Sequence, residues 1–172
     1  MINIIVAIDN KNGFAKNNII PWYYTEDFQH FRKLTMNNIC VMGRNTYEEI
    51  DIILSSKKPS VLPGRICFVL SNTLDELPNA QVIKSMDEFK YVLDTVEQLK
   101  GKDIFFIGGK QLYDLALEFA DNVYVTHINK DYDCDVFFNM DYVYNNYPVQ
   151  YYLPSTNDEL TFKIYSKHFD LL

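Results

Sequence analysis

The chain has 172 residues, a length that suits one domain with a sizeable core. Hydrophobic residues at 48% and charged residues at 23% describe an ordinary soluble globule. The net charge of −7 argues against nucleic acid as a bulk partner and requires that an anionic cofactor be drawn in by local cations.

The three cysteines, Cys40, Cys67 and Cys134, are odd in number and far apart, with no CxxC or Cys/His ligand spacing. Neither a disulfide framework nor a zinc site is expected, and Cys40 and Cys67, set in apolar runs, read as small core residues. The first residues enter an apolar run directly, without a basic leader and without the length to span a bilayer. No signal peptide and no membrane partner are expected, and the cytoplasm is the expected compartment.

Residues 2–8 are β-branched and apolar apart from Asn3, which predicts a central strand. Residues 9–13 turn it. A loop then runs through Phe14, Ala15, Ile19 and Ile20 to Trp22, and its apolar end is costly to expose unless it covers something. Residues 21–50 read as turn, helix, buried strand and the start of a second helix. Thr25 is placed to cap the first helix. Asp27, Phe28, Phe31 and Leu34 or Thr35 follow at helical spacing, so one carboxylate shares a face with aromatics. The strand Ile39, Cys40, Val41, Met42 delivers Gly43, Arg44, Asn45 and Thr46 to a helix opening, a junction that suits an anionic ligand. An acid in an apolar slot and an anion seat nearby point to an enzyme with two ligands.

Beyond Ile50 the sequence is irregular, with a solvated loop expected at 55–59. Leu62, Pro63, Gly64 and Arg65 precede a buried strand, 66–70, that ends at Ser71 and Asn72. A short strand at 81–84 leads to a capping-box pattern at 85–88 and a helix over 86–99, whose Phe89, Val92, Leu93 and Val96 share a face. The strand 104–107 runs into Gly108 and Gly109, where backbone can approach a ligand closely, and a helix is expected over 111–120. A strand at 122–129, a polar loop at 131–135 and a hairpin of 147–153 with 160–168 complete the chain. The alternation predicts a mixed, mostly parallel central sheet with helices on both faces and an antiparallel C-terminal hairpin.

Pro21-Trp22, Asp27, Phe31, Met42-Gly43-Arg44-x-Thr46, Leu62-Pro63-Gly64-Arg65, Ile107-Gly108-Gly109, Tyr113 and Tyr124-Val125-Thr126-His127-Ile128 occur in that order. This ordered set resembles the dihydrofolate reductase family and covers nearly the whole chain. The resemblance implies one domain over 1–172, with an adenosine-binding subdomain at about 38–101 and the remainder as the major subdomain. It implies NADPH-dependent reduction of 7,8-dihydrofolate to 5,6,7,8-tetrahydrofolate, with hydride delivered to C6 and a proton to N5. Asp27, Trp22 and Tyr113 take the catalytic positions. Ile5, Ala7, Phe28, Phe31 and Arg32 join Asp27 around the substrate, with Ile50, Leu62, Arg65 and Thr126 completing that set. Arg65 grips the α-carboxylate of the glutamate tail through a bidentate pair. The cofactor set begins with Ala7, Phe14 and Ile20 and continues through Gly43, Arg44, Asn45 and Thr46. Leu70, Ser71 and Asn72 lie near the adenine ribose. Ile107, Gly108, Gly109, Lys110, Gln111, Leu112 and Tyr113 lie along the second junction, where the Gly108–Gly109 peptide is cis in the family. Dihydrofolate is then a small-molecule partner of a monomer, without a metal.

Reduction of the imine needs a hydride, which no side chain supplies, and one acid or oriented water for the nitrogen. Desolvation raises the pKa expected of Asp27, and its surest role is to clamp the pterin amino group and ring nitrogen. Four positions depart from the family. Ala15 stands for the usual Gly, the connection after Ile50 is longer, and Cys134-Asp135-Val136 replaces a common Gly-Asp-Thr. Gln111 replaces a second basic residue, which predicts a weaker preference for NADPH over NADH. Two other readings are a pterin or riboflavin-precursor reductase, which would lack Asp27 and Arg65 together, and a non-catalytic folate- or nucleotide-binding subunit.

Overall fold

Apolar runs of five to seven residues, β1 (Ile2–Ile8), β3 (Ile39–Gly43), β4 (Ile66–Leu70) and β7 (Asn122–Ile128), build the middle of an eight-stranded sheet. The computed structural model describes residues 1–54, 62–74 and 76–169, and the loop expected at 55–59 lies outside them. The remaining strands are β2 (Gly13–Ala15), β5 (Gln81–Ile83), β6 (Ile104–Phe106), β8 (Val136–Phe137), β9 (Val149–Leu153) and β10 (Leu160–Ser166). The helices are α1 (Thr25–Thr35), α2 (Arg44–Leu54), α3 (Met86–Thr95), α4 (Lys110–Ala116) and α5 (Met140–Asn146).

The strand order is β5-β4-β3-β6-β1-β7-β10-β9. All pairs from β5 to β7 are parallel, whereas β10 runs antiparallel to both β7 and β9. The chain leaves β1 toward β3, β4 and β5, then returns to insert β6 beside β1 and place β7 on the far side. That reversal opens a crevice at the carboxyl ends of β1, β3 and β6, where ligands of open α/β sheets bind.

Period-two alternation assigns the two faces. Ile39 and Val41 join Ile4, Val6, Phe68, Phe89, Phe106 and Tyr147 in the core on the α3, α4 and α5 side. Cys40, Met42, Cys67 and Val69 pack with Phe31 and Ile50 on the α1 and α2 side, so both cysteines are free core thiols. Each such apolar side chain contributes about 1.5–3 kcal/mol on burial. Asn3, the polar exception in β1, is buried but satisfied: Asn122 Nδ2 donates to its Oδ1 at 2.9 Å, and Ser166 Oγ donates to Asn122 Oδ1 at 2.6 Å.

Several boundaries differ from those expected. The N-cap of α1 is Tyr24 and no side chain caps it, so Thr25 is the first helical residue. Tyr24 is held there because its hydroxyl bonds to Tyr132 and, at 2.5 Å, to Glu159. The expected helix over 86–99 breaks at Val96, which is extended, and a 3-10 turn, Glu97–Leu99, follows. Ser85 caps α3 by accepting from Glu88 N at 3.1 Å, but the Glu88 carboxylate reaches Lys84 N instead of completing the box on Ser85. The helix expected over 111–120 is α4, which starts at Lys110 and stops at Ala116. Two features lacked a sequence assignment: the β2·β8 ribbon and α5, whose cap is Asn139, accepting from Tyr142 N at 3.2 Å.

Two half-buried histidines are expected to cost the fold stability in acid. His30 of α1 stacks on Phe162 at 4.1 Å, and His127 of β7 meets the Tyr165 hydroxyl at 2.8 Å. Burial lowers each imidazole to about 4. The folded pKa lies below the unfolded value near 6.5, so the unfolded chain binds more protons as pH falls through that window. The thermal midpoint should therefore drop between pH 6.5 and 4.5, and H30Q should flatten that slope. An unchanged slope in H30Q would remove His30 as a cause.

Candidate active site

Asp27 lies in the first turn of α1, beside the crevice. Thr126 of β7 sits opposite Ala7 of β1 in the sheet register and donates to Asp27 Oδ1 at 2.7 Å. Burial raises the carboxyl of Asp27, and the Thr126 bond only partly offsets that. The aromatic neighbours are less buried than their spacing predicts. Phe31 is half-buried against the α2 side of the core, and Phe28 is 49% exposed, packed on Tyr23 at 4.9 Å. Only Thr35 among the α1 side chains is fully buried. The stripe of α1 thus flanks Asp27 at the crevice rather than closing onto the sheet.

Across the crevice, the ends of β3 and β6 meet. Gly43 N donates to Gly108 O at 2.8 Å, and the Gly108–Gly109 peptide is cis. A Cβ on Gly43 would stand 3.7 Å from Gly108 O and Gly109 N, and one on Gly109 would stand 3.8 Å from Thr46 Oγ1. At Gly108 the φ of 121° suits glycine, and an added Cβ would press on the Tyr113 ring at 3.3 Å. Three glycines and Thr46 therefore form a backbone cradle that side chains would fill, and it fits a flat or anionic group.

Tyr113 lies beneath this cradle, 4% exposed. Its hydroxyl lies 2.9 Å from the carbonyl oxygens of both Ile5 and Ile107, to which it donates, tying β1 to the β6 junction. That commits its proton to backbone, so it props the cradle. Burial, then the charges of Asp27 and Glu49, push its phenol up. Phe14 packs edge-on against the Tyr113 ring at 5.3 Å. Leu112 is a core side chain, and Lys110 pairs with Asp114 at 3.2 Å.

At the outer end, Arg44 Nε donates to Glu48 Oε1 at 2.8 Å and its NH1 to Thr73 Oγ1 at 3.4 Å. Ser71 Oγ lies 3.3 Å from Thr73 Oγ1 and accepts from the backbone N–H of Thr73 and Leu74. Asn45 and Asn72 are exposed beside this group, and Leu70 ends its strand half-buried. Thr73 was not a sequence candidate, although a hydroxyl two residues past Ser71 is a common turn signal. Arg65 follows Leu62, which is buried beside Ile50. Two Arg65 guanidinium nitrogens, Nε and NH1, are buried without a hydrogen-bond partner among the described residues. Desolvation lowers its pKa, and the charge of exposed Arg32 adds to that effect.

The loop before α1 packs its far end against β7 and β10. Trp22, 9% exposed, packs with Ile128, Leu160 and Phe162, and meets the Tyr132 ring at 5.2 Å. Asp135 holds the loop: its N–H donates to Ala15 O at 2.9 Å and its carboxylate accepts from Asn17 N at 3.0 Å. Glu49 also reaches the loop, a second half-buried acid that spacing alone did not mark.

An acid at a strand-end crevice, with a glycine cradle and a basic outer end at the neighbouring strand ends, is the site of an α/β protein that suits a small ring compound and an anionic group. The profile of the dihydrofolate reductase family matches residues 1–167. A Ureaplasma parvum protein named dihydrofolate reductase is 34% identical over 161 residues, covering 88% of this chain and 96% of the relative. A Mycoplasma genitalium protein of the same name is 31% identical over 144 residues, 82% of this chain and 84% of that one. A longer Mycoplasmoides gallisepticum protein, named segregation and condensation protein A, is 31% identical across 100% of this chain, which spans 32% of it. The chain belongs to the dihydrofolate reductase family. It is an enzyme, and the reaction is that of the family, reduction of dihydrofolate to tetrahydrofolate.

Proposed function

We propose that NADPH is the reductant and that Asp27 holds the pterin and governs protonation at N5. The observation that carries this reading is the half-buried Asp27 carboxyl on Thr126, facing the glycine cradle across the crevice. When bound, the nicotinamide supplies the hydride for C6. The chain's own part is to place and enclose. Gly43, Gly108 and Gly109 present backbone to the cofactor, Thr46 and the α2 opening take its phosphates, and Tyr113 fixes the spacing between the cradle and β1. Asp27 accepts from the pterin amino group and ring nitrogen, Arg65 takes the tail carboxylate, and Trp22 with its loop keeps bulk water out. The segment 38–101 acts as the adenosine-binding part, and the enzyme works as a cytoplasmic monomer. No helix among the described residues is long and apolar enough to cross a membrane.

Loss of NADPH absorbance on adding dihydrofolate tests the reading directly. Tight binding of both compounds without turnover would favour the non-catalytic subunit. Arg44, with Thr73 and Ser71, is the proposed seat of the 2′-phosphate. Its side chain is about half exposed and already paired to Glu48, which tempers its charge. Arg44→Ala should still weaken NADPH by about 2 kcal/mol, roughly 30-fold. NADH should change by less than about threefold. Equal losses would make Arg44 a pyrophosphate or structural residue.

A further inference from the structure

The loop between β2 and α1 is tied on two flanks by different partners. On the first flank, Asp135 holds Ala15 and Asn17, and Lys16 Nζ pairs with Asp133 at 3.0 Å. These ties end at Asn17. Asn17 and Asn18, with φ of 51° and 64°, then make a two-residue hairpin turn closed by Lys16 and Ile19, which bond each other's backbone at 2.8 and 3.0 Å. The returning arm, 19–21, carries Ile19 and Ile20, which are 60% and 47% exposed. Apolar burial therefore does little to hold this arm down. The tie that reaches it is polar: Ile20 N donates to Glu49 Oε1 at 3.1 Å.

Glu49 and its neighbour Glu48 are alike in sequence and opposite in use. Glu48 turns outward to Arg44, whereas Glu49 is half-buried and turns to the loop backbone at Ile20. Burial raises the Glu49 carboxyl, partly opposed by the Ile20 N–H, and its charge is felt at the buried Tyr113 hydroxyl. A carboxylate kept there against desolvation has one gain in view, a charge-assisted bond to the loop backbone.

We propose that Glu49 is a positioning residue that clasps the arm 19–21 to α2 and thereby sets the closed loop over the reacting face. The proposal rests on the reading of this loop as the cover of the site. Through the arm, Glu49 acts on Ile20 and the Pro21-Trp22 segment that leads into α1, without touching the reacting atoms. It limits how often water enters while hydride moves.

Limited trypsin cleavage after Lys16, followed by mass spectrometry, reads loop opening independently of turnover. Wild type, Glu49→Gln and Glu49→Ala are compared, each with an unchanged thermal midpoint as the folding control. The alanine variant should be cut about fivefold faster or more, the share of one hydrogen bond to a charged group. The glutamine variant keeps an acceptor oxygen but loses the charge, so it should fall between wild type and Glu49→Ala. The same pattern is expected in the hydride-transfer rate, with dihydrofolate binding little changed. Cleavage of Glu49→Ala at the wild-type rate overturns the clasp, and so does Glu49→Gln behaving like Glu49→Ala, since charge and not the hydrogen bond would then matter. An inactive wild type would count against the assigned cofactor and site, not against the clasp, because the cleavage pattern is read without substrate.

Discussion

Asp27→Asn is expected to slow hydride transfer near neutral pH by on the order of 10²-fold, the usual size of general acid–base assistance. The loss should shrink as pH falls, because substrate already protonated at N5 no longer needs the enzyme for that proton. In the wild type, the carboxyl of Asp27 is raised by burial, so the rate should follow an apparent pKa above the ordinary carboxylate range and shared with the pterin. The same shift carries a stability consequence of opposite sign. A carboxyl whose folded pKa exceeds its unfolded value costs stability once ionised, fully above the folded pKa and not at all below the unfolded one. Asp27→Asn, which can keep the Thr126 bond through its amide oxygen, should melt higher than wild type at pH 7. Below about pH 4, where wild-type Asp27 is protonated in both states, the difference should vanish. Rates measured from pH 5 to 8 with saturating cofactor, together with melting curves of the ligand-free protein, check both halves. Wild-type turnover by the variant at pH 7.5 would reduce Asp27 to a polar anchor.

Arg65→Leu should weaken dihydrofolate by about 2–3 kcal/mol or more, on the order of 10²-fold, the cost of removing one partner of a desolvated charge pair. The warrant is the state of the guanidinium: two of its nitrogens are buried with no partner among the described residues, and desolvation pulls its pKa down. A planar cation held that way is ready for a bidentate carboxylate and costly without one. Diaminopyrimidine inhibitors, which lack a carboxylate, should bind the variant within about twofold of wild type. The ligand-free variant should also melt no lower than wild type, since it no longer buries an unpaired charge. Inhibition constants for both ligand classes decide the matter. Parallel losses would return Arg65 to the scaffold.

The framework of this site was legible because it depends on local chemistry. Gly43, Gly108 and Gly109 mark where backbone faces the crevice without a side chain, Gly108 at a φ that favours glycine, and their place after apolar runs announces strand-to-helix junctions. Asp27 stood out as an acid at helical spacing among aromatics, and Arg65 as a cation leading into a buried strand. The parallel sheet followed from the alternation of strand and helix patterns. What the residues alone did not reveal arises between segments distant in the chain. Tyr24 ends as an N-cap because Tyr132 and Glu159, 108 and 135 residues on, claim its hydroxyl. The helix α5 has its apolar positions, Met140 and Val143, within a single seven-residue element, too short to establish a period.

Glu48 and Glu49 show the division most plainly. Composition, spacing and propensity treat the two as equals, both acids on the first turns of α2. Helical geometry turns them about 100° apart. One therefore meets Arg44 four residues back, a partner readable from the sequence, while the other meets the backbone of Ile20, 29 residues away, only after the loop has folded over. Spacing determines pairs within an element. Only the tertiary structure decides which buried carboxylate finds a backbone N–H from another element, because that partner carries no side-chain signal.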